Sequence, residues 1–332
     1  MKMSRAQDTQ SDGSDALVSE TETPVHGWTS AKLGDYLAKK IDKAEFTEEP
    51  FRHVTIDDFL PQEIMEEVLR ISYVEPQKSV SGIKKQLGDD WKIMPFPGCA
   101  KSWTDYRLSR LLGLPLSDPR VDGRGLALRY VGTEPVSALI RNAMTGPAVV
   151  SVLKEKLGIT RKIVADNGIQ KYLDGYEISP HPDPLSKAIT ILVNMGVGGV
   201  ETEGSGTRLL KFKASRDYVS QFWKNNNDVA PDWVKWDWCE QVASYDKVNQ
   251  LLFFAPNEKS LHAVKCDYDH LQSQRSQIYG DFWYVDEVDM GVKHKASYRS
   301  LEIQADPTLR DKIRLVRTKK AQKKARTSKD SV

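Results

Sequence analysis

The sequence is short of cysteine, of long apolar runs and of charge excess, and each shortage removes a class of protein. Its only three cysteines, Cys99, Cys239 and Cys266, are far apart, and no CxxC pair occurs. That argues against a disulfide framework or a zinc ribbon and fits a reducing compartment. No window approaches the roughly 18 consecutive apolar residues of a membrane span. No apolar core follows the few basic residues at the start, which points away from secretion and toward the cytoplasm. A net charge of +2 is too small to call for nucleic acid by itself. No internal repeat is present.

What remains is a composition of 39% hydrophobic and 28% charged residues in a 332-residue chain, enough to bury a core without covalent staples. Residues 1–24 are acidic, polar and nearly free of large apolar side chains, the composition of a disordered segment. Residues 25–157 read as a helical and strand region that packs on a barrel. Residues 158–300 read as the barrel itself, and residues 301–332 as a basic helix or tail. That tail is a solvated terminus or a weak contact for nucleic acid or another acidic partner.

Apolar spacing predicts helices over Ser30–Ala44, Gln62–Ser72, Pro135–Asn142 and Ala148–Leu157, with Gly158 as a stop. It predicts strands near Phe51–Ile56 and Gly125–Val131, and an irregular loop region from Lys78 to Gly123. Short β-rich runs then follow at Gly168–Ile178, Ala188–Val193, Thr207–Phe212, Gln250–Ala255 and Ser276–Val285, which suggests an antiparallel sandwich or barrel. Trp223, Trp233, Trp236 and Trp238 interrupt the series, as a lid over the site or as packing on the barrel's flank, the latter slightly favoured.

The informative segment is Tyr172-Leu-Asp-Gly175-Tyr-Glu-Ile-Ser-Pro-His181-Pro-Asp183. Residues two apart on an extended chain project to the same side, so His181 and Asp183 can grip one metal. The best third ligand is His262, delivered after the apolar strand and turn Leu251-Leu-Phe-Phe-Ala-Pro-Asn257. His270 competes but reads as part of an exposed turn; His53 and His294 read as surface or strand-edge residues. Two imidazoles and one carboxylate on one face of iron(II) leave positions open for other ligands. Arg275, thirteen residues after His262, offers a fork for a carboxylate.

In this order and spacing the segment resembles the 2-oxoglutarate/Fe(II) oxygenase superfamily, in particular its prolyl-hydroxylase-like branch. There a Tyr-x-x-Gly approach precedes H-x-D, and a basic residue follows the distal histidine. Lys187-Ala-Ile-Thr190-Ile-Leu-Val-Asn194 looks like the family's second barrel strand, and Gly198-Gly199 like its Gly-Gly turn. The resemblance covers about Phe51 to Asp286.

The fold it implies is α+β and mainly β: a double-stranded β-helix, or jelly roll, with flanking N-terminal helices. The implied enzyme is a dioxygenase using Fe(II), 2-oxoglutarate and O2, with ascorbate as an optional reductant. His181, Asp183 and His262 would hold the metal, and Arg275 the cosubstrate's distal carboxylate. Tyr172 is either a cosubstrate contact or a core aromatic. Thr190 and Asn194 line the pocket if the register brings them inward, and Gln277 is a pocket contact or an interior polar residue. Asp183 keeps the carboxylate that related halogenases lack, so hydroxylation, or a variant such as desaturation or demethylation, is expected. The substrate expected first is a small molecule such as an amino acid, a sugar or a natural-product intermediate. The alternatives are a protein or nucleic acid docked by the basic tail, and a non-catalytic jelly-roll binding protein.

Overall fold

The computed structural model describes residues 23–94, 96, 99–112, 124–226, 229–285 and 294–295. The expected disordered segment, apart from residues 23 and 24, and the basic tail lie outside them. The chain runs α1 (Ser30–Lys43), β1 (Val54–Ile56), α2 (Gln62–Ser72), α3 (Val80–Leu87), β2 (Trp91–Ile93), α4 (Trp103–Leu112), β3 (Arg124–Tyr130), α5 (Pro135–Thr145), α6 (Pro147–Leu157), β4 (Ile163–His181), β5 (Lys187–Val197), β6 (Thr207–Phe212), α7 (Tyr218–Asn225), β7 (Val229–Ala230), β8 (Cys239–Tyr245), β9 (Gln250–Phe254), β10 (His262–Lys265), β11 (Arg275–Tyr284) and β12 (His294–Lys295).

The helices form where local chemistry favours them. Thr29 accepts a hydrogen bond from Lys32 N at the start of α1, while Leu33, Leu37 and Ile41 bury one stripe and Lys40 and Lys43 occupy the last turn. Prolines open α5 and α6, and α6 ends at Gly158, whose φ is +68°. The stretch from Lys78 to Gly123, expected to be irregular, holds α3, β2 and α4. These elements are only three to ten residues long, too short to leave a sustained period.

β4 is nineteen residues long and serves two sheets. Its first half pairs with β11 from Ile163 to Tyr172, and its second half pairs with β10 from Glu177 to His181. One sheet therefore runs β4–β11–β5–β9, with β1 added at the β9 edge and β3 and β2 beyond β4. The other runs β4–β10–β6–β8. All of these pairings are antiparallel, and the closed arrangement is a double-stranded β-helix. Because β4 supplies one strand to each sheet, β5 is the third barrel strand and not the second. At its end Gly198 and Gly199 take φ of +63° and +80°, which side chains other than glycine resist.

The main core lies between the helices and the outer face of the larger sheet. Leu33, Leu37, Ile64 and Leu139 meet Ile169, Ile191, Phe253 and Ile278 there. Inside the barrel two apolar clusters, one around Leu209, Leu252 and Phe254 and one around Tyr172, Tyr176 and Val264, leave a cavity. Trp223 and Trp238 pack with Leu210, Phe212, Leu261 and Ala263 over the smaller sheet, and Trp236 packs against them, so three of the four clustered tryptophans are packing. No single described helix is long and apolar enough to cross a membrane.

Candidate metal and cosubstrate site

β10 begins where β4 ends, and the pairing makes His262 the register partner of His181. The two rings lie 4.4 Å apart, centre to centre. Asp183 follows two residues after His181, and one ligand atom from each of the three lies within 4.8 Å of the others. Asp183 and His262 are buried, and His181 is partly so.

Each imidazole is held in the same way. His181 Nδ1 pairs with the carbonyl of Ser179 at 2.8 Å, and His262 Nδ1 with the carbonyl of Ser260 at 3.0 Å. Donation to a carbonyl places the proton on Nδ1 and turns a bare Nε2 lone pair inward, the tautomer a metal requires. Burial lowers the pKa of His181 to about 3 and also lowers that of His262. Both rings are thus neutral donors.

Asp183 is tied on both oxygens. Lys187 Nζ reaches Oδ1 at 2.8 Å, and Thr190 Oγ1 donates to Oδ2 at 2.5 Å. Burial opposes its charge, but the Lys187 ammonium outweighs that and holds the carboxyl below the usual range. Lys187 also pairs with Asp281 at 3.1 Å, whose own pKa burial lifts to about 6. Lys187 and Asp281 escape sequence reasoning; the four-residue spacing of Asp183 and Lys187 across a tight turn was the available signal.

The cavity that these residues line holds about 220 Å³. Met94, Phe96, Tyr176, Ile178 and Val264 form an apolar wall, and Gln170, Tyr172 and Gln277 line it with polar groups. The period of two along β11 puts Arg275 on the same face as Gln277, opposite Tyr172 in register. Arg275 is 0% exposed, its guanidinium carbon sits 5.0 Å from the Tyr172 ring centre, and none of its three guanidinium nitrogens has a hydrogen-bond partner. It packs behind Tyr172 and is not part of the cavity wall itself. A buried cation with nothing to bind is costly, so the position suits an anionic occupant.

Tyr172 lies at the cavity, with its hydroxyl donating to Gln170. Thr190 also lines it, but its hydroxyl is directed to Asp183. Gln277 lines the cavity with Oε1 unpaired. Asn194 turns away and donates to the carbonyls of Asp246 and Lys247.

Two histidine expectations are corrected. His270 is 1% exposed and not in an open turn, because Arg110 and Tyr106 close over it. His53 is fully buried, paired with Tyr245 Oη and the Phe51 carbonyl, because the Phe51 and Tyr245 rings pack on it. The side chain of His294 lies outside the described residues. Trp233 differs from its neighbours: its ring stacks on His181 at 4.0 Å, and Val234 N donates to the Pro180 carbonyl at 2.9 Å.

No family model matches the chain, and no curated protein matches it. Solved structures that are similar to it include a Trichoplax adhaerens prolyl hydroxylase in complex with a hypoxia inducible factor oxygen degradation domain peptide fragment. Identity there is 15%, over 77% of this chain and 90% of that one, with a TM-score of 0.39. A Pseudomonas putida prolyl-4-hydroxylase gives 13% identity, 75% and 93% coverage and a TM-score of 0.35. The non-heme alpha-ketoglutarate-dependent epimerase SnoN from nogalamycin biosynthesis gives 10%, 76% and 83%, and 0.39. At such values the site stands on its own residues.

Proposed function

We propose that the chain is an Fe(II)- and 2-oxoglutarate-dependent oxygenase that hydroxylates its substrate. One observation carries this reading: a neutral two-histidine, one-carboxylate cluster lies on the wall of a small cavity, and an orphaned, buried Arg275 is packed behind the same cavity. The donor set suits iron(II) with open positions, and the guanidinium suits one end of a dicarboxylate.

His181, His262 and Asp183 hold the metal, and Ser179, Ser260, Lys187 and Thr190 orient those ligands. Arg275 draws in the distal carboxylate beside Tyr172, and the apolar wall keeps water from the reacting atoms. When bound, iron and 2-oxoglutarate supply the oxidation, one atom of O2 entering a substrate C–H bond and the other entering succinate as CO2 leaves.

A small-molecule substrate is one reading. The size of the cavity supports a second, in which only part of a larger substrate enters. The intact cluster speaks against a binding protein that has lost its chemistry.

Anaerobic reconstitution with Fe(II) and 2-oxoglutarate tests the proposal. A weak visible metal-to-ligand band is expected, absent in His181→Ala and shifted in Arg275→Ala. A wild-type chain that shows no band at saturating iron sinks it.

A further inference from the structure

Two hollows meet at one ion pair. The cavity at the metal cluster and a wider groove of about 800 Å³ share Arg129 and Asp166 in their walls. The Arg129 fork reaches the two Asp166 oxygens at 3.3 and 3.1 Å. The guanidinium lies 4.7 Å from the Tyr279 ring centre, and the Tyr279 hydroxyl reaches Asp166 at 3.3 Å. Asp166 is about half exposed and Arg129 about a quarter, so solvent reaches the pair. Gly168 leaves the junction open, since a Cβ there would stand 3.4 Å from the Tyr279 ring and 4.0 Å from Arg129.

Along the groove runs a strand edge. β3 pairs with β4 only as far as the partners Arg129 and Gln170, while β11 continues along the other edge to Ile163. From Ile163 to Ile169, no described strand covers the β3 side of β4. Such an edge presents backbone N–H and C=O groups at a regular spacing, which another extended backbone complements. Asp166 and Gly168 face the junction, and Ala165 and Asn167 face the helix side, where Arg141 and Asn142 of α5 complete the groove.

The volumes add a second argument. About 220 Å³ must take 2-oxoglutarate as well as the reacting group, and whole-ligand pockets run to roughly 300–1,000 Å³. The space left suits one side chain, with the rest of its molecule in the groove.

Resting on the oxygenase reading, we propose that the β4 edge over residues 163–169 docks an extended polypeptide. The peptide adds a strand there and sends one side chain inward past Arg129 and Asp166. Alternation along a strand supplies this division, one residue facing in and its neighbours facing out. The polar, two-signed rim of Arg129, Asp166 and Arg141 matches a peptide backbone better than an acyl chain.

The test uses the full chain and a degenerate dodecapeptide mixture. With Mn(II) and 2-oxoglutarate bound, the peptides should slow amide exchange over residues 163–169. With Fe(II) and O2 they should raise succinate formation about tenfold, a gain that free amino acids do not produce. Gly168→Val, which plugs the junction, and Asp166→Arg, which places like charges across it at an exposed position, should each abolish that gain while the visible band persists. Slow exchange in the free chain at residues 163, 165, 167 and 169, whose amides point away from β11, overturns the proposal, because the edge would be occupied. So does a band-forming chain in which peptides give neither protection nor stimulation, or variants that keep the full gain. Protection without stimulation overturns the inward passage. A wild-type chain with protection but no band overturns the oxygenase reading and leaves the docking strip standing.

Discussion

Thr190 holds Asp183 by the oxygen that faces His262: its hydroxyl donates to Oδ2, and that same oxygen lies 3.5 Å from His262 Nε2. The carboxylate is therefore aimed before any metal arrives. Thr190→Val should lower metal affinity by roughly 10–100-fold, the usual cost of losing an outer partner of a ligand, with the fold intact. Titration calorimetry with Mn(II) checks this. An unchanged affinity with weakened 2-oxoglutarate binding would return Thr190 to the role expected from sequence.

Arg275 carries a different trade. Its buried, unpaired guanidinium costs stability in the free protein, so Arg275→Met should raise unfolding free energy by roughly 1–3 kcal/mol. The same change should weaken 2-oxoglutarate binding by at least about tenfold, because a charge-assisted contact is lost. Urea denaturation and cosubstrate titration are the two measurements, and destabilisation by the methionine variant would refute the account of the orphaned cation.

Lys171 faces away from the cavity, 1% exposed, with Nζ donating to the Ser72 carbonyl and to Ser276 Oγ. Burial lowers its pKa from 10.5 to about 7. The unfolded chain thus holds a proton between about 7 and 10.5 that the folded chain releases. Stability from this group rises with pH across that window, and the penalty is complete below it. Lys171→Met should gain roughly 1–3 kcal/mol at about pH 6 and much less at about pH 10. Equal gains at both pH values would rule the lysine out as the source.

Trp233 stacks on the ring of His181, a proposed metal ligand, whereas Trp223 and Trp238 pack with the cluster over the smaller sheet. Binding of Co(II) should quench tryptophan fluorescence mainly through Trp233. Trp233→Phe should remove most of that quenching without abolishing metal binding. Quenching that survives the substitution would place the reporting tryptophan elsewhere.

The barrel was legible because its evidence is local. Short β-rich runs mark β5, β6, β9 and β11, and the H-x-D spacing needs only an extended backbone to bring two side chains together. Ser179 and Ser260 could not be read as orienting groups, since the carbonyl, not the side chain, does the work. Lys187 looked like the plain start of a strand, and only the turn at Pro184 brings it back onto Asp183. β8, with its exposed middle, and the short α3 and α4 lacked enough apolar periodicity. His270 and His53 show the converse: polar neighbours suggested water, but tertiary cover came from Arg110 and Tyr245, distant in sequence.

The continuity of β4 also sets a scale. One unbroken strand carries Tyr172, where Arg275 pairs, and His181, where the cluster begins, so the span between the two anchoring points is fixed by covalent chain. If the proposed oxygenase reading holds, this span acts as a caliper: a diacid of the wrong length would satisfy one jaw and miss the other. Inserting two residues between positions 173 and 180 would open that gauge while preserving which side of the strand each residue faces.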